Sequence, residues 1–250
     1  MPARPQPLVL LQYGGFGGRS TFSPPCAKVQ MALRRKGLDY EVRNARSPGE
    51  VRRLNPRGRV PVLLLDGETV ADSSDILTVL DERWPEPRLE PPDPRDRLLD
   101  RLWEDWGDEV LYFQGVYLRW LVPEHYENLR AVLGRGLRPP LRWLLPRLGR
   151  SMARRRLQGQ GTGEKPREVV EREFQESLHL LEGWLQDRPF LTDTEPRRGD
   201  LAVCAVLDQL ALDLHPGTAA RILEQAALCA WRERVHALTG NPALSDRSGP

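Results

Sequence analysis

Cysteine, histidine and long apolar runs are all scarce in this sequence, and each shortage closes off a class of function. The three cysteines, Cys26, Cys204 and Cys229, lie far apart and form no metal-ligand pair. An odd, dispersed set of cysteines suits a reducing compartment. The four histidines, at 125, 179, 215 and 236, show no metal-binding H-x-x-x-H or H-x-x-E-H spacing. No stretch approaches the ~18 apolar residues of a membrane span. The apolar run near the start, within MPARPQPLVLLQ, is too short for a signal peptide. A net charge of +2 gives no argument for nucleic acid. With 40% apolar and 29% charged residues in 250, the expectation is a soluble, cytoplasmic protein of one large or two small domains.

What is present changes period part-way along the chain. Residues 8–11, LVLL, read as a short buried strand, and a glycine-rich loop follows. Pro24 and Pro25 fit the entry of a helix that Gly37 stops. DYEVRN (39–44) alternates like a strand, and Ser47 with Glu50 three residues on marks a short capped helix. VPVLLLDGETVA places Asp66-Gly67 between two extended runs, a strong hairpin signal. Asp72 or Ser73 then caps a helix running to Trp84. The order β-α-β-α-β-β-α describes a small sheet with helices on its faces. Residues 85–94 hold five prolines in ten and read as a stiff linker.

Beyond the linker the apolar residues step by three or four. Leu99, Leu102, Trp103, Trp106, Val110, Phe113, Tyr117 and Trp120 predict one long stripe, and Val170, Phe174, Leu178, Leu181 and Leu185 a second. LAVCAVLDQLAL (201–212) is apolar on nearly every side and predicts a central buried helix, and 222–238 predicts a fourth helix. NPALSDRSGP (241–250) reads as a frayed tail. The expected division is 1–84, the linker 85–94, an all-helical 95–240, and the tail 241–250.

Ser23-Pro24-Pro25-Cys26 has the spacing of a C-P-x-C redox motif whose first cysteine is a serine. A serine there forms no disulfide but can donate a hydrogen bond to a sulfur held by something else. It precedes a helix whose free N–H groups and positive dipole end would stabilise a thiolate. Serine is also a preferred N-cap, which is the plainer reading. Tyr13, at the end of the first strand, is an alternative donor, and Cys26 reads as a small buried hydrophobe rather than a nucleophile.

LNPRGRVPVLLLDGETVADSSDIL (54–77) resembles the glutathione-binding half of a glutathione transferase, with its V-P before a hairpin and an acid-Ser pair opening a helix. PFLTDTEPRRGDLAV (189–203) resembles that family's second signature, although Arg197 stands where Ser or Thr is usual, leaving the capping box incomplete. The lengthened first loop and S-P-x-C-x-K of residues 10–41, with RWL (119–121) and 157–170, resemble the metaxin and failed axon connections branch. The resemblance implies an α/β thioredoxin-like N-terminal domain and an all-α C-terminal domain. It implies a cis bond at Val60-Pro61, which would turn the Val60 backbone outward to pair with an extended tripeptide. Asp72 and Ser73 would hold the γ-glutamyl end, Arg59 would lie near the glycine end, and Asp200 would hold the core-helix start. The implied activity is a transferase joining glutathione's thiolate, activated by Ser23, to an apolar electrophile. Glutathione is then a co-substrate, with no permanently bound cofactor and no metal, and a homodimer is usual among relatives. Asp72-Ser73 could equally be an ordinary cap. The alternatives are a non-catalytic metaxin-like adaptor and a glutathione-dependent thiol reductase, which would need a reactive Cys26.

Other signals are weaker. GGFGG (14–18) and GQGTGEK (159–165) miss the nucleotide-binding spacings, and the first reads as a loop over the site. Between Glu127 and Glu164 there are nine arginines and no acid. This segment, centred on 130–156, is a candidate surface for an anionic partner, or a solvated face balanced by neighbouring acids. The aromatics of the first long stripe belong mostly to the core.

Overall fold

A computed structural model describes residues 7–15, 20–135 and 137–240. The expected tail and residues 16–18 of the glycine loop lie outside them. The first half runs β1 (Leu8–Gln12), α1 (Pro24–Arg35), β2 (Tyr40–Asn44), α2 (Pro48–Leu54), β3 (Val62–Leu65), β4 (Glu68–Ala71) and α3 (Ser73–Arg83), the order read from the sequence. The sheet order is β2-β1-β3-β4. β1 pairs parallel with β2 and antiparallel with β3, and β3 pairs antiparallel with β4.

Alternation along the strands explains why both faces are covered. Leu10, Leu63 and Leu65 join the main core with residues of α1 and α3. Leu11 and Val62 point the other way and meet Val51 of α2 in a small second core. Asp66 and Gly67 make the β3–β4 turn with φ of +50° and +82°, the left-handed pair that a two-residue hairpin needs. The prolines Pro24 and Pro25 occupy the first turn of α1. Ser47 Oγ accepts the Glu50 N–H at 3.3 Å, and the Glu50 carboxylate accepts the Arg46 N–H at 2.9 Å.

The second half contains α4 (Pro94–Trp106), a π-type turn over Gly107–Leu111, α5 (Tyr112–Trp120), α6 (Pro123–Leu133) and α7 (Leu141–Gln160). It continues with α8 (Arg167–Leu185), α9 (Arg198–Leu210), α10 (Pro216–Leu223) and α11 (Ala226–Thr239). Every residue of α9 is buried, as expected of the central helix, and the five apolar residues of the α8 stripe are buried too. Two expectations need correction. The helix expected over 222–238 is two helices, α10 and α11, broken after Leu223. The long stripe does not face inward throughout, because Leu102 and Val110 are exposed. The inward face of α4 and its π turn carries Asp100, Glu104, Gly107 and Leu111 instead. The proline-rich segment is also anchored: Leu89 is fully buried and its N–H donates to the Asp81 carboxylate at 2.9 Å.

The start of α9 is sound despite Arg197. Asp200 accepts the Arg197 N–H at 2.9 Å, the Leu191 N–H at 3.0 Å and the Trp231 indole N–H at 2.7 Å. Only this half of a capping box can exist, since a guanidinium has no acceptor.

The two inward carboxylates of α4 have opposite surroundings. Burial opposes ionisation of Glu104, but Lys28 and Arg198 outweigh it and hold its carboxyl down to about 2. Lys28 Nζ lies 2.7 Å from one Glu104 oxygen and 2.6 Å from Asp108, and Arg198 Nε lies 2.8 Å from the other Glu104 oxygen. Asp100, by contrast, is pushed up to about 8, chiefly by burial. One of its oxygens accepts the Gly199 N–H at 3.0 Å, and the other is buried without a partner. Between its ordinary value of 3.8 and about 8, only the folded state keeps the Asp100 proton. Stability therefore falls as pH rises through that window. Asp100→Asn keeps the acceptor for Gly199 but has no proton to lose. Urea midpoints at several pH values between 4.5 and 8.5 should fall less steeply for this variant than for the wild type. An unchanged pH slope would show that Asp100 ionises within the fold.

Candidate functional site

Strand register gathers the residues singled out in the sequence at one end of the sheet. Val62 pairs with Ala71 across the hairpin and with Leu11 on β1. Val60-Pro61, Asp72-Ser73 and the exit of β1 at Gln12 and Tyr13 therefore flank the same edge. The chain returns there to begin α1, with Ser23 as its first, extended flanking residue. Two helix N-termini, of α1 and α3, open at this end, and both favour negative charge.

Ser23 is tied by its backbone, and its side chain reaches Cys26 rather than the N–H groups of α1. Its N–H donates to Thr21 Oγ1 at 3.1 Å, and its carbonyl accepts the Ala27 N–H at 2.9 Å. The Ser23 hydroxyl makes no capping bond to α1, so the plain N-cap reading does not describe what this side chain does. Cys26, one turn on, is fully buried. Burial pushes its thiol up to about 12, against hydrogen bonds from Ser23, the Tyr13 backbone and Thr21. It offers no accessible thiolate, which removes the support for the thiol-reductase alternative. Tyr13 is partly exposed, and burial raises its phenol as well.

The peptide bond between Val60 and Pro61 is cis. Asn55 donates its side-chain N–H to the Arg59 carbonyl at 2.8 Å and its oxygen accepts the Arg57 N–H at 3.0 Å, so it braces the approach to this bond. The Arg59 side chain itself is exposed, Val60 is half-buried and Pro61 is buried. Asp72 has φ +95° and ψ 136°, a backbone conformation that non-glycine residues rarely hold. Its carboxylate accepts the Ser74 N–H at 3.0 Å and its carbonyl the Ile76 N–H at 3.0 Å, which start α3. Asp72 is exposed and Ser73 is buried.

The roles of four side chains escaped the sequence reading. Arg119 of α5 is buried and donates to the Phe22 carbonyl at 3.0 Å, directly before Ser23. Burial lowers its guanidinium to about 10, and it remains a cation at neutral pH. Gln209 of α9 donates to the Thr21 carbonyl at 3.2 Å, so the helical domain fixes this loop from two helices. Lys28 donates to Ser74 Oγ at 3.2 Å, and Arg198 donates to the Ser74 carbonyl at 2.7 Å, so the first turn of α3 rests on buried cations. The available signal was a charged residue inside an otherwise apolar run, as Arg119 is between Leu118 and Trp120.

Residues 19–88 match the family model described as glutathione S-transferase, N-terminal domain. That match lies almost wholly within the first domain and covers little more than a quarter of the chain. Rat maleylacetoacetate isomerase is 40% identical over 95 residues, 34% of this chain but only 44% of that protein. The chain thus spans less than half of the length of that relative. LigF of Sphingobium is 26% identical over 213 residues, 78% of this chain and 75% of its own length. The crystal structure of the beta-etherase LigF matches with a TM-score of 0.65 at 23% identity, covering 93% of this chain and 96% of that one. A rice glutathione transferase solved with glutathione matches with a TM-score of 0.61 at 24% identity, covering 95% and 91%. The glutathione S-transferase fold is thereby shown, a four-stranded mixed sheet followed by a helical domain.

One cluster elsewhere has metal-ligand chemistry. Cys204, Asp208 and His236 bring one donor atom each within 4.8 Å of one another. Arg232 also reaches Asp208 at 2.8 Å, placing a fixed positive charge against the carboxylate that a metal ion would need.

Asp72→Gly separates strain from recognition. Glycine adopts this backbone freely, and replacing an N-cap by glycine costs only a few tenths of a kcal/mol. Relief of strain of the order of 1–3 kcal/mol should leave the variant at least as stable as the wild type in denaturant titration. A clear loss of stability would show that the Asp72 backbone is unstrained.

Proposed function

We propose that the sheet end described above binds glutathione and that the protein joins its thiolate to an electrophilic small molecule. The observation that carries this reading is the convergence of cis Val60-Pro61 and the strained Asp72 on the edge where Ser23 opens α1. An extended tripeptide could add to the Val60 backbone as a short strand. The Asp72 carboxylate would take the ammonium of the γ-glutamyl group, with Ser73 and the α3 N-terminus taking its carboxylate. Arg59 would lie at the glycine end. The glutathione sulfur would then sit near the Ser23 hydroxyl, the N-terminus of α1 and the cationic Arg119.

These groups favour the thiolate over the thiol, so the proton passes to solvent. The sulfur lone pair forms a carbon–sulfur bond, and a leaving group departs with its bonding pair. The breadth of the match to a beta-etherase supports an electrophile whose leaving atom is an ether oxygen. The junction between the domains would supply the apolar pocket, and a homodimer accords with the family habit. The adaptor reading, of metaxin type, draws on a different observation, the exposed apolar and arginine-rich face of α7. It requires no glutathione at all.

Calorimetry with glutathione distinguishes the two. The wild type should bind at millimolar concentration or tighter, and Asp72→Ala should weaken binding. Ser23→Ala should keep glutathione affinity near that of the wild type yet move thiolate absorbance of the complex to higher pH and lower turnover by about tenfold or more. Absence of binding in the wild type would overturn the transferase reading.

A further inference from the structure

A cavity of about 400 Å³ opens between α6 and α7. Its walls carry four arginines, Arg130 from α6 and Arg147, Arg150 and Arg154 from α7, against one carboxylate, Glu127. Glu127 is already engaged by Arg130, whose Nε lies 2.9 Å from it. The other three arginines make no ion pair among the described residues. Their spacing of three and four places them on one face of α7, so their charges converge rather than disperse.

The cavity is also built to hold its shape. The Arg150 guanidinium lies 4.2 Å over the Tyr126 ring and donates to the Leu121 carbonyl at 3.3 Å. Tyr126 is only 4% exposed, and its hydroxyl is buried without a hydrogen-bond partner. The Nε of Arg150 is likewise buried without a partner. Buried donors left unpaired are costly, and a ligand that accepts hydrogen bonds removes that cost. Three unneutralised guanidinium groups favour a multiply charged acceptor with several oxygens over a single carboxylate.

We propose that this cavity binds a phosphate group. The volume leaves room for a substituent on the phosphate, so its source is a small phosphoester or an anionic lipid headgroup. Leu141, Leu144, Leu145, Leu148 and Met152, each about half exposed or more, form a ridge at helical spacing, but at about 3.6 residues per turn it is turned roughly 140° around α7 from the three arginines and does not border the cavity.

The test uses the full chain in two arms. Calorimetry with glycerol phosphate reads the free ligand, and co-sedimentation with phosphatidylglycerol or phosphatidylcholine vesicles reads the headgroup. Binding in either arm should weaken as salt rises. It should fall at least tenfold in the double variant Arg147→Glu, Arg154→Glu, both exposed positions outside the core, and less in Tyr126→Phe. Arg155→Glu, an exposed arginine outside the cavity, should bind as the wild type does. Sedimentation with phosphatidylglycerol alone assigns the headgroup, and binding of glycerol phosphate assigns the phosphoester. No binding in either arm overturns the proposal, as does an equal loss in Arg155→Glu. Glutathione calorimetry on the double variant should be unchanged, which keeps this result separate from the transferase reading.

Discussion

The carboxylate of Glu104 is the point on which the two domains turn. It lies between Lys28 of the first domain and Arg198 of the central helix, fully buried. An uncompensated charge in such a place is strongly destabilising, of the order of 3–5 kcal/mol when one partner of a buried pair is removed. Docking that kept Glu104 from either cation would carry that cost, so the contact favours the arrangement that brings all three groups together. Ser74 shares the same contacts through its hydroxyl, which donates to Glu104 at 2.8 Å. The start of α3 is thus set by the domain junction as well as by its own cap.

The candidate site inherits this rigidity. Asp72 precedes Ser74 by two residues and holds a strained backbone, which persists only where its surroundings over-determine it. On the other side of the sheet edge, Arg119 and Gln209 hold the loop that delivers Ser23. Both helix N-termini at this edge are positioned by side chains from the helical domain. A site assembled this way has little freedom to adjust, which suits the proposed chemistry, in which one sulfur atom must be placed.

Much of the first domain was legible because its signals are local. Asp66-Gly67, Pro24-Pro25, Gly37 and the Ser47–Glu50 pair each act within a few residues, and each marks an element where it stands. The α8 and α9 stripes were legible because uniform apolar faces pack against uniform apolar neighbours. The face of α4 was not, since its inward residues are charged and their partners, Lys28 and Arg198, are distant in sequence. Hydrophobic periodicity treats Asp100 and Glu104 as solvent-facing, and only tertiary pairing makes them core. Ser23, Val60, Pro61, Asp72 and Ser73 could be given roles by resemblance, whereas Asn55 and Arg119, although inside the LNPRGRVP and RWL stretches, could not. Their importance lies in carbonyl groups that they reach, and backbone carbonyls carry no sequence identity.

The π-type turn at Gly107–Leu111 has a geometric consequence of its own. A turn of this kind adds one residue to a helix without ending it, and so advances the phase of everything after it by about 100°. Gly107 allows the close approach this requires, since a Cβ there would meet Ala202 and Val203 at 3.2 Å. The apolar stripe before the turn and the one after it are consequently out of phase. Arg119 follows the turn, and its angular position decides whether its guanidinium meets the Phe22 carbonyl. A chain shorter by one residue in that turn could keep every side chain of α5 and still aim Arg119 elsewhere.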